Sequence, residues 1–167
     1  MRLGWPGAWG IAGVLALLGQ AIYKLTPYAL ALTELSLGVL ELVALVGWVA
    51  FNAYSEGYRG FQLKFSPRVV VRARCLTADP RPLFVVLAPL YCMGMIHATR
   101  RRLIVSWCLA LGIVAIVVVV RRLDQPWRGI VDAGVVVGLA WGVASIVYFV
   151  GRALAGRAIP IEPDLPR

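Results

Sequence analysis

The chain has little of what soluble enzymes are built on. Of its 167 residues only 8 are acidic and one, His97, is histidine, so a histidine base paired with a carboxylate has almost no material to draw on. There is no GxSxG, HExxH or CxxC motif, no phosphate-cradling glycine loop and no dinucleotide fingerprint. The three cysteines, Cys75, Cys92 and Cys108, are an odd number and two fall in apolar stretches, so no disulfide framework follows. Lysine is scarce too: all but two of the 17 basic residues are arginine. With much Ala, Gly and Val, that usage reflects GC-rich coding and suggests a bacterial source. These absences predict a protein that is not an enzyme and carries no cofactor or resident metal.

What the chain does have is hydrocarbon. Hydrophobic residues make up 60% of it and charged residues 15%, against about 25% charged in soluble domains; mean hydropathy is +0.81. Apolar runs occupy 9–25, 30–53, 83–98, 103–120 and 133–150. Each is about as long as a bilayer-crossing helix except the third, which is marginal. The expected fold is therefore all-α, a polytopic transmembrane bundle of five apolar segments forming one integral membrane domain over 1–167. At the start, Arg2 and the small residues around Gln20 imitate a secretory leader. A single Arg and the early Trp5 and Trp9 instead suit a retained membrane helix.

The net charge of +9 sits at the ends of the apolar runs, where anionic headgroups lie, so it predicts lipid and not nucleic acid as the partner. In the connector 54–82, Phe61 to Phe65 alternates like a short extended piece. Ser66 and Pro67 then read as the start of a helix reaching about Leu76, lying on the membrane surface with Arg68 and Arg72 toward headgroups. Arg100, Arg101 and Arg102 form a second headgroup contact. If the third segment crosses, there are five crossings with basic residues nearly balanced between the two sides. If it re-enters, four crossings collect most of them on one side. Charge favours four; re-entrant segments are rare and need protein cover, which favours five. The expected setting is the bacterial cytoplasmic, or inner, membrane.

Glu41 falls near the middle of the second run, with Glu34 two turns before and Asn52 three turns after, on one sector that also holds Gly38. A carboxylate at bilayer depth costs about 2.5–3.5 kcal/mol by insertion scales, so this stripe should face protein or water. The break at Thr26-Pro27 makes the first two runs a hairpin, in which Lys24 pairs with Glu34 and Gln20 lies level with Gly38. Ala8, Ala12 and Ala16 form a small stripe on the first run. Gly134, Gly138 and Gly142 make a doubled GxxxG for close helix packing, within the chain or between copies. Asp132 reads as the N-cap of the fifth run. Cys92, Met93, Met95 and His97 are soft ligands that would suit Cu(I), but helical spacing splits them, so a Met-rich helix with an interfacial histidine is expected.

Three functions remain. The first is a non-enzymatic accessory or assembly component, self-associating or held in a larger membrane complex. The second is a small proton- or cation-coupled transporter or channel lined by Gln20, Lys24, Glu34, Glu41 and Asn52. The third is an anionic-lipid-binding or lipid-modifying protein.

Overall fold

A computed structural model describes residues 3–159 and 161–165; Arg2, part of the leader-like pattern, lies outside the described residues. The elements are α1 (Trp5–Leu30), continued by a 3-10 turn (Ala31–Glu34), then α2 (Val39–Asn52), a π-helix (Ala53–Phe65) and α3 (Ser66–Ala78) without a break. Next come α4 (Pro82–Val86), α5 (Ala88–Met93), α6 (Arg100–Val120) and α7 (Trp127–Leu154). No strand occurs among the described residues. Four helical stretches are long and apolar enough to cross a membrane: Trp5–Glu34, Val39–Ala78, Arg100–Val120 and Trp127–Leu154.

Three expectations change. The third apolar run is not one helix: α4 and α5 have 5 and 6 residues, about 8–9 Å each at 1.5 Å per residue, far short of the roughly 30 Å hydrocarbon core. Proline in the first turn of each starts a helix but cannot continue one, and Gly94 at φ 77° closes α5 in the left-handed region. The second run starts late, because Leu35 and Gly38 are extended and α2 begins only at Val39. The connector also differs in form, being helical as far as Ala78. Its supposed extended piece is π-helical, and the α ladder resumes at Ser66 and Pro67, where the missing proline N–H is tolerated.

The hub is α7, packed against α1, α2, the π-helix and α3. Trp48 lies level with Val131, Glu56 with Gly138, Phe61 with Gly142 and Arg74 with Ala153, so the helix 39–78 runs parallel to α7. Tyr28 and Leu32 meet Gly129, so α1 is antiparallel to it. One end of the bundle therefore gathers the start of α1, the end of α3, α4, α5, the start of α6 and the end of α7. We call it the basic end, since Arg68, Arg72, Arg74, Arg81, Arg100, Arg101, Arg102, Arg152 and Arg157 belong to it. The core lies there as well: Ile11, Val14, Val69, Val70, Ala73, Leu76, Ala88, Tyr91, Cys92, Ile146 and Ala153. Neither α2 nor α6 adds a residue to it. Of α6 only Ser106 is buried.

Candidate functional site

The seam expected around Glu41 does not assemble. Glu41 occupies the first turn of α2, where its Oε2 accepts the Gly38 N–H at 2.7 Å. A carboxylate there caps free amides and meets the positive end of the helix, so it needs no partner at depth. Gln20, Lys24 and Glu34 are all exposed, and no Lys24–Glu34 ion pair forms among the described residues. The reason lies in the rotation of α1, which turns Ala8, Ala12, Ala16, Gln20 and Lys24 outward and buries Gly7, Gly10, Ile11 and Val14. A Cβ on Gly10 would stand 2.6 Å from Cys92 Sγ, so this second small face is what lets α5 approach. Asn52 alone keeps its expected burial, at 1% exposure, with Nδ2 donating to the Trp48 carbonyl at 2.9 Å.

A different polar column stands beside Asn52. The doubled GxxxG of α7 is filled from within the chain: Gly134 by Trp48 and Asn52, Gly138 by Glu56, Gly142 by Phe61. Trp48 Nε1 donates to the Val131 carbonyl at 3.2 Å, and Trp141 Nε1 donates to Gln62 Oε1 at 2.7 Å. Residues facing α7 recur at Asn52, Gly57, Phe61 with Gln62, and Ser66, in steps of four to five, which follows π-helical turns and not α-helical ones. The column puts Glu56 next to the middle of α7. Glu56 is nonetheless exposed at the edge of the column, as are Tyr58, Arg59 and Lys64 on the outer side of the same turns, and no ion pair joins them among the described residues. Sequence reasoning missed Glu56 and Gln62 because it assigned 54–82 to the surface. The irregular four-to-five repeat was the signal that could have found them.

At the basic end, two predicted lipid contacts prove to be internal. Arg72 is 0% exposed. Its Nε donates to the Tyr91 carbonyl, Nη1 to Pro163 at 2.7 Å, and Nη2 to Ile96 at 2.9 Å and His97 at 3.1 Å, while the guanidinium lies 4.4 Å above the Tyr91 ring. Carbonyls freed by irregular backbone after α5 attract it from the surface, since a buried carbonyl without a donor is costly. Arg68 Nε stands 2.9 Å from Asp164 Oδ2. Arg102 is half-buried, with Nη2 donating to the Met93 carbonyl at 3.4 Å. Only Arg100 and Arg101 are exposed as a headgroup contact requires.

The soft-ligand cluster is dispersed. Cys92 is buried, and burial pushes its thiol up to about 12 despite nearby Arg72. His97 packs at a tilt against Phe84 with ring centroids 4.6 Å apart, its pKa pushed down by desolvation and then by Arg81 and Arg72. Among the described residues no three His, Cys, Asp or Glu side chains gather as metal ligands would. Asp132 is no N-cap: α7 starts five residues earlier, and Asp132 faces Arg128 at 3.7 Å in its second turn.

Taken together, helices long enough to cross a bilayer and a polar column between two of them define an α-helical membrane-type bundle. No known protein family, curated protein or solved structure matches this chain.

Proposed function

We propose that this is a small integral membrane accessory or assembly component, without chemistry of its own, which is covered along its π-helical face by a larger membrane complex or a second copy. The carrying observation is the exposure of Glu56, Arg59 and Lys64 on the π turns, with Glu56 at Gly138 near the middle of α7. Facing lipid, such groups cost about 2.5–3.5 kcal/mol each near the bilayer centre by insertion scales. Protein cover removes that cost. The glycines of α7 no longer argue for association, because the chain's own side chains fill them. In this reading the chain crosses four times in the bacterial inner membrane, with the basic end cytoplasmic as the positive-inside rule requires. Arg100 and Arg101 meet anionic headgroups there. A photo-cross-linking residue in place of Arg59, irradiated in native membranes, should give a protein adduct of discrete mass; lipid adducts alone would overturn the proposal.

One observation favours the transport reading as second. Asn52, Glu56 and Gln62 line one column at mid-bundle depth, and a carboxylate in such a place is a candidate for carrying protons or cations. Proteoliposomes would then show flux that is lost in Glu56→Gln and kept in Glu41→Gln. Absence of flux under proton and sodium gradients would end that reading.

A further inference from the structure

We propose that the basic end holds a phosphate-binding site, and that the carboxylate of Asp164 occupies its seat from within the chain. A cavity of about 820 Å³ opens between the start of α6 and residues 162–165, walled by Ala98, Leu103 and Leu165 and edged by Arg100 and by the carboxylates of Glu162 and Asp164, both on the segment that would leave. Arg102 lies within Coulomb range of Arg68, Arg72 and Asp164, so three guanidinium groups share one close carboxylate. Arg72 spends its donors on backbone carbonyls, which leave its charge in place. The fit is also poor: the Nε atoms of Arg68 and Arg102 are buried and have no aligned acceptor, even though Asp164 stands beside Arg68. Charge is thus within reach of the arginines while two of their donors are left over.

The segment that brings Asp164 here is strained. Asp164 has φ 50°, and His97, whose carbonyl Arg72 binds, has φ 47°; both lie in the left-handed region that non-glycine residues avoid. Its backbone is tied by the Thr99 N–H to the Asp164 carbonyl at 2.9 Å and by Arg72 to Pro163. A phosphate group offers more acceptor oxygens and more charge than one carboxylate, so it satisfies Arg68 and Arg102 together and displaces the segment. The apolar wall of Ala98 and Leu103, which stays when the segment leaves, suits the glycerol and first methylenes of a phospholipid, whereas free phosphate would use the arginines alone.

The test uses the full chain in neutral detergent, titrated separately with dioctanoyl phosphatidic acid and with inorganic phosphate while tryptophan emission is followed; Trp107 bonds the Met95 carbonyl near this site. Asp164→Asn should bind phosphatidic acid about tenfold tighter than wild type, the size of one charge-assisted contact. Asp164→Glu should stay at the wild-type value, and Arg102→Gln in the Asp164→Asn background should remove the gain. An equal gain for inorganic phosphate supports the site and assigns it to free anions; a gain for the lipid alone assigns it to headgroups. A folded Asp164→Asn protein with unchanged affinity for both probes overturns the proposal. Should that variant fail to fold, undiminished phosphatidic acid binding by Arg102→Gln in the wild-type background overturns it equally.

Discussion

Helices α3 and α6 are opposites. Each carries three arginines, yet in α3 seven of 13 residues are buried, Arg72 among them, and the helix forms the centre of the core. Helix α6 is otherwise aliphatic almost throughout, yet among its 21 residues only Ser106 is buried. In water this would be inside out, because apolar surface seeks the interior. In hydrocarbon no such force distinguishes one greasy helix from its surroundings, and what demands an interior is polar backbone and charge. Arg72 is buried because unpaired carbonyls after α5 need donors; beyond Arg102 and Trp107, which donate to the carbonyls of Met93 and Met95, α6 is bare because its aliphatic residues need no protein partner.

The sharpest way to break that contrast is to remove the charge from the core. Arg72→Leu should destabilise the fold by about 3–5 kcal/mol, the range for deleting one member of a buried charged network, because the carbonyls of Tyr91, Ile96, His97 and Pro163 lose donors together. Arg72→Lys should recover little of it, since an ammonium cannot span that fork. Unfolding in a fixed detergent measures both, and a near-neutral Arg72→Leu would refute the account. Next comes a matched pair of truncations. Ile146→Ala, at 0% exposure in the core, should cost about 2–5 kcal/mol, while Ile113→Ala, at 61% exposure on α6, should stay within about 0.5 kcal/mol. Equal losses would mean that α6 packs inside the chain.

Thiol chemistry sharpens the comparison further. Cys108 on α6 is exposed, whereas Cys92 is buried with its pKa near 12. In detergent at pH 8 a maleimide should modify Cys108 first and reach Cys92 only on unfolding, as peptide mass mapping would show. The smallest effect concerns pH. The His97 pKa is held below its ordinary value near 6.5, so the unfolded chain binds the proton more readily. Its contribution is whole above that pH and is lost as pH falls through it toward the folded-state value. The thermal midpoint should therefore fall between pH 7.5 and 5.5, and His97→Gln should flatten that dependence.

The sequence carried the all-helical class and three of the four long helices, because length and hydropathy suffice for them. It also located the glycine ladder of α7, since spacing by four is direct evidence of close approach. It misjudged Glu41, because a run of apolar letters does not show where a helix begins, and Leu35 to Gly38 break it unannounced. It misplaced Arg68 and Arg72, because the carbonyls that attract Arg72 belong to backbone left unpaired by tertiary structure. That the helix 39–78 runs along α7 was hidden behind its polar π turns, for which α-helical periodicity is the wrong ruler.

The parallel course of α3 and α7 has one more consequence. Their carboxyl ends lie side by side, so the half-unit negative poles of two helix macrodipoles add instead of cancelling. Arg74 answers this across the pair by donating to the Ala153 carbonyl, and Arg152 donates to Ala158 just beyond α7. Two arginines of the basic end thus offset the poles of the chain's own helices, and Arg74 joins the pair with the same guanidinium.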